Sequence, residues 1–167
     1  WWFGARAALR LAASYVGATS NRLDRLHGRL DATRAALDAQ LLRRAAVTLE
    51  IAASGLLDPA TSVLLASAAH DARTAARDAR AAAESALTGA LRATFADPSV
   101  AVTLAADPSG VALLAELEAA TTKVPLARRF YNDAVRATLA VRKHRVVRWL
   151  RLAGRVAPPR SFEMDDE

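Results

Sequence analysis

Apolar residues recur at helical spacing along most of this chain. Between residues 9 and 37 an apolar residue returns at every seventh position: Leu9, Val16, Leu23, Leu30 and Leu37. A seven-residue repeat of this length is typical of a long helix that packs on its neighbours as in a coiled coil. The pattern predicts a first helix from Ala5 to Ser54, with Leu26, Leu41 and Leu49 extending its apolar stripe.

Three Asp-Pro steps predict where the later helices begin. Aspartate at the N-cap accepts a hydrogen bond from an unpaired backbone N–H, and proline fits the next position because it has no N–H to satisfy. Gly55, shortly before the first step, suits the left-handed position that closes a helix. These signals predict helices over Pro59–Phe95 and Pro108–Leu152, a short helical turn over Pro98–Ala106, and a kink at Pro125.

The composition agrees with an all-helical chain. Alanine supplies 42 of the 167 residues, leucine 23 and arginine 21, and all three are good helix formers. Cysteine is absent and the three histidines are scattered, so we expect no cofactor and no metal. The prediction is an all-α fold, an elongated antiparallel helical bundle of three long helices plus one short helix. Residues 1–18 begin its first helix, residues 19–155 form the bundle, and residues 156–167 form a flexible tail with an acidic end.

The net charge of +6 is unevenly distributed. Residues 128–160 contain ten basic residues and one acidic residue, whereas four of the last five residues are acidic. A basic segment of this kind suits a polyanion, a membrane surface or an acidic partner protein, and a merely solvated helix face is the alternative. We define its last part as the basic end, which consists of Arg142, Arg145, Arg148, Trp149, Arg151 and Arg155.

The first residues resemble the edge of a membrane span. Trp1, Trp2 and Phe3 are followed by Arg6 and Arg10, and aromatic residues at the headgroup level with arginine on the cytoplasmic side are typical of such an edge. No run in the chain approaches the ~20 apolar residues that a span requires. We interpret this start as the membrane-proximal end of a removed N-terminal anchor. A trimmed soluble protein and residues left over from expression are the alternatives.

Several segments resemble the LemA family. The most specific is Ala127–Val135, with the sequence ARRFYNDAV, and Glu116–Glu118 precedes it. Leu37–Arg44 resembles the family's D-x-Q-L-x-R-R segment, and Ser161–Glu163 its closing Phe-Glu. The resemblance implies an N-terminal membrane anchor in the bacterial inner membrane, a cytoplasmic antiparallel helical bundle, and no established enzymatic activity.

Helix lengths predict a polar layer in the middle of the bundle. If three straight helices alternate in direction and rise ~1.5 Å per residue, residue 130 lies level with residue 41. The layer then contains Gln40, Arg44, His70, Asp71, Arg129, Tyr131 and Asn132. Buried polar groups must be hydrogen-bonded, so we expect Asp71 or Asp133 to neutralise Arg44. The layer either sets the register of the helices or forms a small-ligand or partner site.

The same arithmetic places the basic end at the far end of the bundle, away from the membrane. We therefore expect a non-enzymatic, membrane-anchored scaffold that presents this end to partner proteins. A module that binds nucleic acid or another polyanion is the alternative, although Trp149 is the only aromatic residue in the basic end and stacking would be poor. A hydrolase remains a residual hypothesis, because the sequence contains no metal, phosphate or nucleophile motif.

Overall fold

The computed structural model describes residues 2–143 and 158–165, and the chain is all-helical over these residues. Five helices follow one another: α1 (Trp2–Ala53), α2 (Pro59–Thr74), α3 (Arg80–Phe95), α4 (Pro98–Ala105) and α5 (Pro108–Arg142). The predicted all-α class is therefore confirmed. The predicted end of the last helix, at Leu152, lies outside the described residues.

The three Asp-Pro steps begin helices as predicted. Asp58 accepts hydrogen bonds from the backbone N–H groups of Ala60 and Thr61, both at 3.0 Å. Asp97 and Asp107 accept from the residue two positions later, at 2.9 and 2.8 Å. Gly55 has φ of 73°, the left-handed conformation expected just after α1. Local sequence thus determines where α2, α4 and α5 begin.

The predicted second helix is wrong, because two helices occupy Pro59–Phe95. α2 ends at Thr74, whose hydroxyl donates to the carbonyl oxygen of His70, and α3 begins at Arg80. No glycine or proline lies in the connection, residues 75–79. α3 turns back and packs along α2, so that the end of α3 lies near the start of α2. Leu87 and Leu91 of α3 are thereby buried in the same cluster as residues of α2, which a continuous straight helix would not allow. Apolar burial therefore outweighs the helix propensity of the alanine run.

The chain divides into two compact units. Unit 2 comprises Ala35–Arg129 and Phe162–Glu167. Its core joins the end of α1 to α2, α3, α4 and the first part of α5, and contains Ala45, Val47, Ile51, Leu65, Ala69, Ala72, Leu87, Leu91, Leu104 and Leu117. The many alanines in this core let the helix backbones approach closely.

Unit 1 comprises Trp1–Arg34 and Phe130–Ser161, and so combines the first part of α1 with the last part of α5. On α5 the side chains of Ala134, Val135, Thr138 and Val141 are buried. Thr138 satisfies its hydroxyl locally by donating to the carbonyl oxygen of Ala134 at 2.8 Å. α5 continues through Pro125 without interruption.

The described part of the expected tail, residues 158–165, has no regular secondary structure but makes specific contacts. Met164 is buried, and its carbonyl oxygen accepts from Arg128 at 3.0 Å. The backbone N–H of Asp165 donates to the Ser85 hydroxyl at 2.9 Å. These contacts hold residues 162–165 against the rest of unit 2, whereas sequence reasoning expects a flexible segment here.

Alanine substitutions at two glycines of unit 2 are expected to change the free energy of unfolding in opposite directions. A Cβ added at Gly110 would lie 2.1 Å from the carbonyl oxygen of Leu104, whereas one at Gly89 meets nothing within 4 Å. We expect Gly110→Ala to lower the free energy of unfolding by ~1–3 kcal/mol, as overpacking does. Gly89→Ala should raise it by ~0.5–1 kcal/mol, since alanine is the better helix former. Urea denaturation measures both, and a stable Gly110→Ala variant would contradict the close packing of α4 on α5.

Candidate functional site

A buried ion pair joins α1 to α3 inside unit 2. Arg44 and Glu84 are each about 1% exposed at the side chain, and Nη2 of Arg44 lies 2.9 Å from Oε2 of Glu84. The same nitrogen donates to the backbone carbonyl of Glu84 at 3.2 Å, and Nη1 donates to the Thr88 hydroxyl at 3.1 Å. Arg44 thus binds one turn of α3 with three hydrogen bonds.

Neighbouring groups extend this pair into a polar cluster, which we define as Arg44, Thr48, Arg80, Glu84 and Thr88. Thr48 and Thr88 donate their hydroxyls to the backbone carbonyls of Arg44 and Glu84. Nε of Arg80 lies 3.9 Å from Oε1 of Glu84, beyond hydrogen-bonding distance. Within the described residues Oε1 of Glu84 and Nε of Arg44 have no hydrogen-bond partner. The cluster is therefore compact, charged and incompletely satisfied.

Burial is the largest influence on the pKa of Glu84. Removal of the carboxylate from water raises the pKa of Glu84 above its ordinary value, and the hydrogen bond and charge of Arg44 oppose that rise. Two such charges are stable in a protein interior only as a pair. With both side chains closed to solvent, a substrate has no route to the carboxylate, and the arrangement suits a structural role.

Of the seven predicted layer residues, the structure buries only Arg44. Gln40 is half-buried on α1, and His70 and Asp71 are exposed on α2, where Ala69 and Ala72 take the buried positions. Arg129 is exposed on α5 and is not among the hydrogen-bond partners of Arg44. The predicted neutralisation of Arg44 by Asp71 or Asp133 is wrong, because Glu84 is the partner and Asp133 pairs with Arg136.

The remaining two layer residues, Tyr131 and Asn132, belong to unit 1, where both are half-buried. The Tyr131 hydroxyl donates to the carbonyl oxygen of Arg160 at 2.9 Å. In unit 2 the α5 residue beside this part of α1 is Glu116, which pairs with Arg43. The predicted alignment of residue 130 with residue 41 is therefore wrong. The prediction assumed that the second helix is straight and continuous. Because α3 instead returns along α2, α5 begins at a different level of α1 from the one predicted.

Arg142 is the one member of the basic end within the described residues. It is half-buried at the end of α5 and belongs to the same unit as Trp1–Arg34. The other members, Arg145, Arg148, Trp149, Arg151 and Arg155, lie outside the described residues. The prediction places the basic end at the far end of the first helix, but residues 35–53 of α1 belong to unit 2, so the prediction does not hold for Arg142.

Sequence reasoning missed Glu84, although a signal for it exists. Glu84, Leu87 and Leu91 have the i, i+3, i+7 spacing of one helix face. Once α3 is taken as a separate helix, this face is its apolar stripe, and a glutamate on it must be buried beside a cation. The signal is lost when Pro59–Phe95 is taken as a single helix.

Compared with known protein families, curated proteins and solved structures, this chain gives no match. Over residues 2–143 and 158–165, no group of three or more histidine, aspartate or glutamate side chains is placed to hold a metal ion. No helix in the part of the chain that the structure describes is both long and apolar enough to cross a bilayer.

The buried pair and the exposed pair beside it are expected to differ sharply in their contribution to stability. Arg44→Met leaves Glu84 buried without its cation, and we expect this to lower the free energy of unfolding by ~3–5 kcal/mol. Arg43→Met is the matched control, because Arg43 is 56% exposed in its pair with Glu116 and should contribute less than ~1 kcal/mol. Urea denaturation followed by circular dichroism measures both.

The double variant Arg44→Met/Glu84→Leu tests whether the loss comes from the unpaired charge. Replacement of a buried ion pair by apolar residues of similar volume is often neutral or stabilising. We expect the double variant to recover most of the stability that Arg44→Met loses. A double variant as unstable as the single one would show that the hydrogen bonds to Thr88 and the α3 backbone matter more than the charges.

The raised pKa of Glu84 predicts how stability depends on pH. A carboxyl with a raised pKa in the folded state holds its proton more tightly there than in the unfolded chain. Relative to Glu84→Gln, the wild type should therefore lose free energy of unfolding as the pH rises from about 4.3, the ordinary glutamate value, through the raised value. Denaturation midpoints over roughly pH 4 to 8 measure this. A relative gain with rising pH would show that Arg44 outweighs burial.

Proposed function

We propose that this protein is a non-enzymatic helical scaffold, anchored at the bacterial inner membrane with its body on the cytoplasmic side. Unit 1 binds the anionic membrane surface, and unit 2 presents a helical body to protein partners. The resemblance of Ala127–Val135 and Leu37–Arg44 to the LemA family supports this assignment. The aromatic and arginine residues at the start of the sequence support the membrane attachment.

The observation that carries the proposal is the division of charge between the two units. The sequence ranges of unit 1 contain fourteen basic and three acidic residues, a net charge of +11. Those of unit 2 contain nine basic and fourteen acidic residues, a net charge of −5. Arg142, the described member of the basic end, belongs to unit 1 together with Trp1–Arg34, and we therefore propose a lipid contact in place of the distal partner contact that the helix lengths suggest.

The polar cluster of unit 2 supports a scaffold more than an enzyme. Its charged side chains are buried against each other, and Arg44 connects the side chain and backbone of α3 to α1. A group that acts on a substrate needs access to it. A buried pair of this kind instead limits the helices to one register.

A module that binds nucleic acid or another polyanion is the second candidate, and the same charge on unit 1 favours it. Lysine and arginine residues neutralise phosphates and release counterions, so affinity for a polyanion falls steeply with salt. Exposed arginines at residues 22, 25 and 29 of α1 add to the basic surface of unit 1. Anionic vesicles and duplex DNA therefore compete for the same residues, and the relative affinities distinguish the two functions.

We expect the 167-residue chain to sediment with vesicles that contain phosphatidylglycerol and not with neutral phosphatidylcholine vesicles. The triple variant Arg22→Gln/Arg25→Gln/Arg29→Gln should bind about ten- to a hundredfold more weakly, because each arginine near an anionic surface contributes ~1 kcal/mol at low salt. Tighter binding to duplex DNA than to these vesicles would favour the second candidate.

A triple variant of unit 2 supplies the matched control. Arg43, Arg73 and Arg77 are also exposed, and their replacement by glutamine lowers the net charge by the same amount. We expect this variant to bind vesicles as the wild type does. Equal losses from both triple variants would show that net charge alone drives the attraction, and absence of vesicle binding by the wild type would contradict the proposal.

A further inference from the structure

A groove lies in unit 2 where α2 begins and α3 ends, and the start of α4 closes its third side. Its volume is about 440 Å³. The polar cluster plays no part in it, since the lining comes from the α1–α2 connection, the first turns of α2, the last turn of α3, and α4. Three different helices thus form one concave surface.

Apolar side chains line much of this groove. Leu56 and Leu57 are half-buried in it, and Leu64 lines it while remaining 50% exposed. Val100 of α4 also lines it and is half-buried. Large apolar side chains left in water beside a concave surface are typical of a site where another apolar surface packs.

Carboxylates lie among these apolar residues. Hydrogen bonds from Thr61 lower the pKa of Asp58, and those from Ser99 lower the pKa of Asp97, so both side chains are charged at neutral pH. Asp58 and Asp97 are the charged residues of the lining, which contains no lysine or arginine, and Arg92 beside it on α3 pairs with Asp165. The starts of α2 and α4 would attract an anion, but their own capping aspartates already occupy these positions.

An unpaired hydroxyl provides an independent indication of a ligand. Thr94 lines the groove and is only 6% exposed, and its Oγ1 has no hydrogen-bond partner among the described residues. A buried polar atom without a partner costs free energy, so such atoms are rare in folded proteins. A donor group brought into the groove by a bound molecule would satisfy it.

We propose that this groove binds a cationic amphipathic helix of a partner protein. The inference rests on the scaffold function proposed above and names the chemistry of its partner. A lysine or arginine of the partner helix donates to Asp58, Asp97 and the Thr94 hydroxyl. Apolar residues of the same helix pack on Leu64 and Val100, which line the groove. The positive charges of the helix thus face the carboxylates of the groove, and its apolar face packs on the apolar lining, as in other complexes of amphipathic helices bound in grooves.

The probe is a synthetic amphipathic peptide of leucine and lysine at helical spacing, titrated into the full chain by calorimetry at low salt. Two further peptides serve as controls: one of the same composition in scrambled order, and one with glutamate in place of lysine. We expect only the amphipathic lysine peptide to bind. Equal binding of the scrambled peptide would overturn the proposal, because it would show simple charge attraction.

Three variants test the site itself. Asp58→Asn/Asp97→Asn removes both charges and keeps the helix caps, since asparagine caps as well as aspartate; we expect peptide affinity to fall about five- to tenfold. Asp107→Asn is the matched control, because Asp107 caps α5 in the same way outside the groove. It should bind as the wild type does. Unchanged affinity in the double variant would overturn the proposal.

Thr94→Val, the third variant, separates loss of binding from loss of folding. It removes the unpaired hydroxyl with little change of shape, so the melting temperature should not fall while peptide affinity falls several-fold. Undiminished affinity in this variant would overturn the proposed role of the hydroxyl.

Sedimentation of the chain alone completes the test. If the chain self-associates and Asp58→Asn/Asp97→Asn abolishes this self-association, the groove binds a second copy of the chain. That result would overturn the proposal that a helix of a different protein binds there. The vesicle experiment reports on unit 1 independently, so failure of either proposal is recognised separately.

Discussion

The contact between Arg44 and Glu84 is the constraint on which unit 2 depends. Removal of two opposite charges from water costs several kcal/mol for each ion, and only good geometry with further hydrogen bonds offsets it. The Arg44 guanidinium reaches both the side chain and the backbone of Glu84. A shift of α3 by a single turn would break these bonds and leave both charges buried alone. The pair therefore permits one register of α1 and α3 and penalises the others.

The return of α3 along α2 determines the surface of unit 2. It brings the end of α3 to the start of α2, and with α4 these segments form the groove around Thr94. It also determines where α5 begins, and so which residues of α5 lie beside α1 in unit 2. The proposed partner site and the neighbours of α5 thus both follow from one reversal of the chain.

In the proposed function, the opposite net charges of the two units suit them to different binding partners. A basic unit and an acidic unit in one chain can contact an anionic surface and a cationic partner without competition between them. The buried pair sets the register of α1 and α3, and neither surface uses it. The proposed scaffold function therefore needs no chemistry at the most unusual polar group in the protein.

Local signals in the sequence determine the helical class, the starts of α2, α4 and α5, and the left-handed Gly55, because capping and backbone conformation depend on neighbouring residues alone. The end of α2 at Thr74 has no such signal. It follows from the burial of Leu87 and Leu91 on α2, which is a property of the folded chain. The partner of Arg44 depends on that reversal, so a prediction from helix lengths that assumes one straight helix misplaces it. Side-chain burial between distant segments, and not propensity, decides these features.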